Sequence, residues 1–362
     1  MIFSETKKRI AKVRFSFFLY EVALVFVFIF LLLLIPLTLF EVLAPEESIF
    51  GGVLFYVLRG AFIFFGIPLI LYFTNLIFES QKSKIIIDED ISPAKGHLRL
   101  FKMSKSNYKY QILYGLLIFF LLFLPMDFFT YLFVPDMVGY QSAVIGSTNV
   151  NYYLGVSYNN YFIFLITATI IQISVAFAEE TITRALVAKR GSEYFFKMSA
   201  VMISSLYFGF AHLFYIVRSN LLFGPTWHPV IWAVEAFIIG IVLAIIVIRK
   251  KWIFPAIIAH TLNNIVAAHT IWNFWQGKSF LTTAFTVYIP LFIVGIIFVV
   301  VCFLLVWPLS SVKKGLSNGS RMFKIYFKRD SKEETKGDTL FRILIDIFIG
   351  FLIFLMGILL SV

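Results

Sequence analysis

The chain has 362 residues, of which 60% are hydrophobic, 45 are phenylalanine and only 14% carry charge, a balance that excludes an ordinary soluble globular protein. Its net charge of +11 does not point to nucleic acid, because the basic residues stand in short clusters between apolar runs instead of on one soluble face. The single cysteine, Cys302, lies in an apolar run and excludes both an intrachain disulfide and a Cys-based metal site.

At the amino-terminal end, Lys7, Lys8, Arg9, Lys12 and Arg14 precede an apolar stretch that runs to about Leu43 without a small-residue cleavage site. This pattern predicts a retained first helix, not a signal peptide. Nine runs approach the ~20 residues that a helix needs to cross a ~30 Å hydrocarbon core. They lie at about 17–43, 51–78, 111–135, 159–188, 198–217, 229–248, 252–271, 285–307 and 340–361. Backbone amides in lipid must be satisfied within their own segment, so the expected fold is an all-α, polytopic transmembrane bundle in contact with membrane lipid.

Alternate connections carry 5, 7, 3, 3 and 8 Lys and Arg, and the connections between them carry 0, 0, 1 and 1. The positive-inside rule then predicts a multi-pass protein of the cell membrane, with a cytosolic amino terminus and an external carboxyl terminus. The connections around Lys82 to Lys109 and Lys313 to Lys336 also hold acidic residues and are expected to be amphiphilic or disordered surface segments.

An ionisable side chain inside a span is costly unless it is paired or faces water, which makes each one a functional candidate. Arg59 and Asp127 both fall in the outer halves of their helices and are expected to pair with each other. Glu21 is expected to reach the interface. The densest cluster, Glu179-Glu180-Thr181-Ile182-Thr183-Arg184, puts Glu180 and Arg184 four residues apart on one face, with Glu179 about 100° away. Glu180 is thereby neutralised and Glu179 left available as a general base, unless the cluster is only an ion-pair network at a helix end. The next span places Phe208 and His212 on one face, where His212 could be a core residue or a catalyst. The seventh places His260 and Asn264 together, either as donors to an oxyanion or as polar glue between helices.

In this order, on three separate helices, Glu-Glu-x-x-x-Arg, Phe-x-x-x-His and His-x-x-x-Asn resemble the signature of the CAAX-protease and bacteriocin-processing family, also called the type II CAAX prenyl endopeptidase or Abi family. Gly240 and the run Pro255-Ala256-Ile257-Ile258-Ala259 also look like that family, and the resemblance spans about residues 160–270. It implies an intramembrane endopeptidase in which a glutamate-activated water attacks a peptide carbonyl. On that resemblance Glu179 is the base, His212 orients the water or protonates the leaving group, and His260 with Asn264 holds the oxyanion. Glu180, Arg184 and Phe208 shape the site. Residues 159–271 would form the peptidase core, with 1–158 adding amino-terminal spans and a cytosolic loop, and 272–362 carboxy-terminal spans and a basic loop.

No cofactor is required by this scheme, although Glu179, His212 and His260 could instead supply three ligands to zinc. No His-Glu-x-x-His or Gly-x-Gly-Asp motif occurs. The expected partner is a membrane-associated peptide or protein substrate approaching from the cytosolic side. Rival readings are a polytopic carrier or a non-catalytic immunity or scaffold protein that uses the same buried polar cluster. One dimension is awkward. At 1.5 Å per residue Glu179 and His260 stand roughly 14 Å above their basic helix ends, and His212 ~22 Å, which predicts a fifth span that is tilted or starts deeper.

Overall fold

The computed structural model describes residues 5–43, 49–77, 92–134, 136–146, 160–215, 225–307, 309–328 and 335–360, and every element among them is helical. In chain order these are α1 (residues 5–43), α2 (Ile49–Ile77), α3 (Pro93–Arg99), α4 (Tyr108–Phe133), α5 (Met137–Gly146) and α6 (Tyr161–Tyr194). They continue as α7 (Lys197–Leu213), α8 (His228–Lys250), α9 (Phe254–Trp275), α10 (Phe280–Leu305), α11 (Leu309–Tyr326) and α12 (Lys336–Leu360).

Among the described residues seven helices, α1, α2, α4, α6, α8, α10 and α12, are long and apolar enough to cross a membrane. The other two expected spans are present as α7, which has 17 residues, and α9, which is interrupted by His260, Asn263, Asn264, His269 and Asn273. The fold is therefore the polytopic helical bundle read from composition. The two members with the weakest hydropathic signal are also two of the three that carry the polar motifs.

Several local expectations change. The fourth span runs beyond 188 to Tyr194, which brings Lys189 and Arg190 into the helix. The connection after the third span contains α5, whose Met137, Val138, Tyr140 and Val144 are buried. Part of the Lys82 to Lys109 connection is helical as α3, and part of Lys313 to Lys336 as α11. Residues 78–91 and 329–334, and the proposed boundary at 158/159, lie outside the described residues.

In lipid the hydrophobic effect gives little drive between helices, so close packing and polar contacts decide how they assemble. Between α7 and α8 that closeness depends on glycine. A Cβ on Gly240 would lie 3.1 Å from the Cα of Ser205, and one on Gly209 would lie 3.0 Å from the carbonyl of Ala233. Near the basic ends, ion pairs hold the amino-terminal helix. Arg14 meets Asp346 of α12 at 2.7 Å and donates to Ser199 of α7 at 3.1 Å. Glu21 does not reach the interface: it is buried and accepts from Arg190 at 2.8 Å and from the Tyr194 hydroxyl. The extension of α6 past 188 supplies both of its donors.

Candidate active site

The first motif sits where α6 changes its winding. The helix is α-helical to Glu180 and π-helical over Thr181–Arg190. The hydroxyls of Thr181 and Thr183 bond back to the carbonyls of Phe177 and Glu179 at 2.6 and 2.5 Å. Such bonds compete with the backbone ladder and loosen a helix locally, and π-turns of this kind recur at functional sites. The two glutamates are separated as expected. The Glu180 side chain is 0% exposed and that of Glu179 is 34% exposed, so only Glu179 meets water.

Glu180 is held from two sides by one oxygen. Its Oε1 lies 3.2 Å from Nη1 of Arg184 and accepts from Nδ1 of His260 at 2.9 Å. The guanidinium of Arg184 also lies 4.1 Å from the centre of the Phe208 ring, a cation–π contact strengthened by desolvation. Because the Nδ1 proton of His260 is committed to Glu180, its Nε2 is the atom left for chemistry. That atom lies 3.7 Å from Oε2 of Glu179. Phe123 stacks on the same imidazole at 5.9 Å and fixes its plane.

His212 donates from Nδ1 to the carbonyl of Phe208 one turn back, at 2.9 Å, which leaves its Nε2 free for another partner. The ring packs against Phe208 at 4.7 Å and Trp232 at 5.2 Å. The lean of the side chains narrows the depth mismatch. Helical side chains lean towards the amino terminus of their own helix. On antiparallel α6 and α7, Glu179 and His212 therefore lean towards each other. The Ser204 hydroxyl bonds the Thr183 carbonyl at 2.6 Å and sets the register between these helices.

Glu179, Phe208, His212, His260 and Asn264 all border one cavity of about 200 Å³, large enough for several waters. Glu180 and Arg184 lie behind its wall. The cavity occupies the half of the bundle away from the basic connections, because the residues lining it come from the far halves of α2, α4, α7 and α8 and from the middle and far parts of α6 and α9. The basic connections are the side that the sequence reading assigns to the cytosol. The hydropathy pattern locates spans but says nothing about which half of the bundle is hollow.

Sequence reasoning passed over part of this cavity. Arg59 and Asp127 both line it but do not pair. Arg59 donates from Nη2 to the carbonyl of Leu360 at 3.0 Å, and Asp127 lies beside Asn263 with its Oδ2 unpartnered. Glu235 of α8 also lines it and accepts from the Thr130 hydroxyl. The available signal was the same one that marked Glu179, a carboxylate inside an apolar span.

Among the described residues no three His, Cys, Asp or Glu side chains are grouped to hold a metal ion. One nitrogen of each candidate histidine is already committed, to Glu180 and to the Phe208 carbonyl. Nε2 of each remains open, and these two nitrogens with the Glu179 carboxylate are the groups that would hold a zinc ion.

Residues 158–266 match the family model described as type II CAAX prenyl endopeptidase Rce1-like. The match contains all three motifs and bears out the resemblance drawn from them. No curated protein and no solved structure matches the chain.

Proposed function

We propose that this multi-pass, Rce1-like membrane protein is a glutamate-dependent intramembrane endopeptidase, and that Glu179 is its general base. The observation that carries this reading is the pairing of a water-accessible carboxylate with a buried imidazole, Glu179 with Nε2 of His260, at the wall of a cavity inside the bundle. Glu179 removes a proton from water as the oxygen attacks the peptide carbonyl carbon. The oxyanion that forms receives a hydrogen bond from Asn264, with the His260 imidazole, oriented by Glu180, facing the developing charge. When the carbon–nitrogen bond breaks, the proton taken by Glu179 passes to the departing amine, with His212 beside the path.

We take the basic connections as cytosolic, with the amino terminus on the same side. On that orientation the scissile bond enters through the outer half of the bilayer, where a membrane-associated peptide or protein can present it.

The test is cleavage of membrane-inserted peptides in proteoliposomes made with 18O-labelled water. Wild-type protein should place one 18O atom in the new carboxylate, and activity should survive dialysis against a chelator. Glu179→Gln should lower the rate by about 10²- to 10⁴-fold, as expected on loss of a general base. Full activity in Glu179→Gln would overturn the assignment.

A further inference from the structure

We infer that α11 is an in-plane helix on the basic side of the membrane, and that its cationic face is a docking surface for anionic phospholipid headgroups. The inference stands apart from the peptidase reading, because it concerns the lipid around the bundle and not the cavity within it.

The charge pattern of the helix is one-sided. α11 has 18 residues and contains Lys313, Lys314, Arg321 and Lys324 but no Asp or Glu. Successive helical residues turn by 100°, so these four cations fall within an arc of about 100°. All four are exposed. The opposite side of the helix is closed by the bundle. Tyr326 is buried, and Met322 partly buried, in one apolar cluster with Met198, Ala200 and Val201 of α7 and Ala244 and Ile248 of α8.

Both ends of α11 are fixed in that rotation. Arg249 of α8 donates from Nη1 to the Gly315 carbonyl at 3.2 Å. Arg342 of α12 donates from Nη2 to the Tyr326 carbonyl at 3.0 Å, and the Tyr326 hydroxyl donates to Oδ2 of Asp346 at 3.2 Å. The cationic arc is therefore held facing away from the bundle.

Topology and the flank of the helix identify the partner. α10, a span, ends at Leu305; α11 begins at Leu309; α12, the next span, begins at Lys336. Tethered on both sides, α11 stays at the membrane surface. Phe323 and Phe327 pack together at 5.3 Å on the flank between the buried side and the cations, and they are 39% and 54% exposed. Aromatic rings at the acyl boundary with Lys and Arg at headgroup level are the pattern of an interfacial helix. A soluble acidic partner would match the cations but leave both rings in water.

The experiment uses the full chain with Cys302→Ser and Ser320→Cys, labelled with bimane at position 320 and reconstituted in phosphatidylcholine vesicles. Quenching is compared for doxyl-labelled phosphatidylglycerol and doxyl-labelled phosphatidylcholine. The anionic lipid should be favoured by about 5- to 30-fold, the ratio for one or two cations per headgroup. That preference should fall to about one in Lys313→Gln/Lys314→Gln/Arg321→Gln/Lys324→Gln and survive in Lys102→Gln/Lys105→Gln/Lys109→Gln, which removes charge from another basic connection. Equal quenching by the two lipids in the unsubstituted helix, a preference that persists in the fourfold variant, or one lost equally in the control overturns the inference. Quenching by neither lipid also overturns it, and leaves the face to a soluble acidic partner. Should the fourfold variant fail to insert, salt decides. At 1 M salt, where charges are screened beyond about 3 Å, the preference should collapse, and its persistence there overturns the inference.

Discussion

Nδ1 of His260 donates to Oε1 of Glu180 over 2.9 Å, between residues 80 positions apart in the chain. The same oxygen meets Arg184, while Oε2 has no partner. Glu180 is thus an internal anion that orients an imidazole, and its neighbour Glu179 is the carboxylate that water can reach. Adjacent residues of one type take different tasks because helical winding points them in different directions.

Glu180→Gln keeps an acceptor for His260 but removes the charge that balances Arg184. Breaking a buried ion pair from one side costs about 3–5 kcal/mol. Denaturant unfolding in lipid–detergent micelles should show a loss of that order for Glu180→Gln and little change for Glu179→Gln. Replacing both partners, Glu180→Met/Arg184→Met, should recover most of the stability while leaving cleavage impaired. Equal stability of the two single Gln variants would contradict this division.

Gly240→Val should impair cleavage without touching the cavity chemistry. Its side chain would press on the backbone of Ser205, moving α7 away from α8 and His212 away from Glu179. Overpacking of this kind costs about 1–3 kcal/mol. The expected signature is a lower turnover number together with a lower unfolding midpoint, and Gly240→Ala should show a smaller form of both.

His97 gives a pH dependence outside the spans. It is buried in α3 with neither ring nitrogen hydrogen-bonded, and burial pushes its pKa from 6.5 down to about 3. The folded chain holds it neutral, whereas the unfolded chain protonates it below 6.5. Its contribution to stability is fully present above 6.5 and falls as pH drops towards 3, by about 1.4 kcal/mol per unit. Unfolding curves from pH 7 to 5 should lose part of their slope in His97→Phe. An unchanged slope would mean that the ring gains a proton acceptor in the folded chain.

Orientation can be read with single cysteines in a Cys302→Ser background. In intact cells an impermeant maleimide should label Gln276→Cys, in the connection between α9 and α10, and spare Lys313→Cys until the membrane is permeabilised. The reverse pattern would turn the cavity towards the cytosol and with it the expected source of the substrate.

Much of the site was legible because polar residues inside apolar runs are conspicuous. Glu179, Glu180, Arg184, Phe208, His212, His260 and Asn264 were all marked by that contrast and by their four-residue spacing. Asp127 was visible too, but its surroundings were not: the sequence suggested Arg59, and the fold sets it beside Asn263. Glu235 was missed because a charge near the beginning of a span resembles one at a helix end.

The sequence by itself determined a helical membrane bundle, the helices that carry the polar motifs and the residues sharing a face within each helix. These follow from hydropathy and the 3.6-residue repeat, which are properties of a short length of chain. Tertiary structure alone decided that His260 is oriented by Glu180, that Glu21 pairs with Arg190 and that the cavity lies away from the basic ends. Each depends on the register and crossing of helices far apart in sequence, and in lipid those are set by close contacts such as Gly240 against Ser205, which no local pattern encodes.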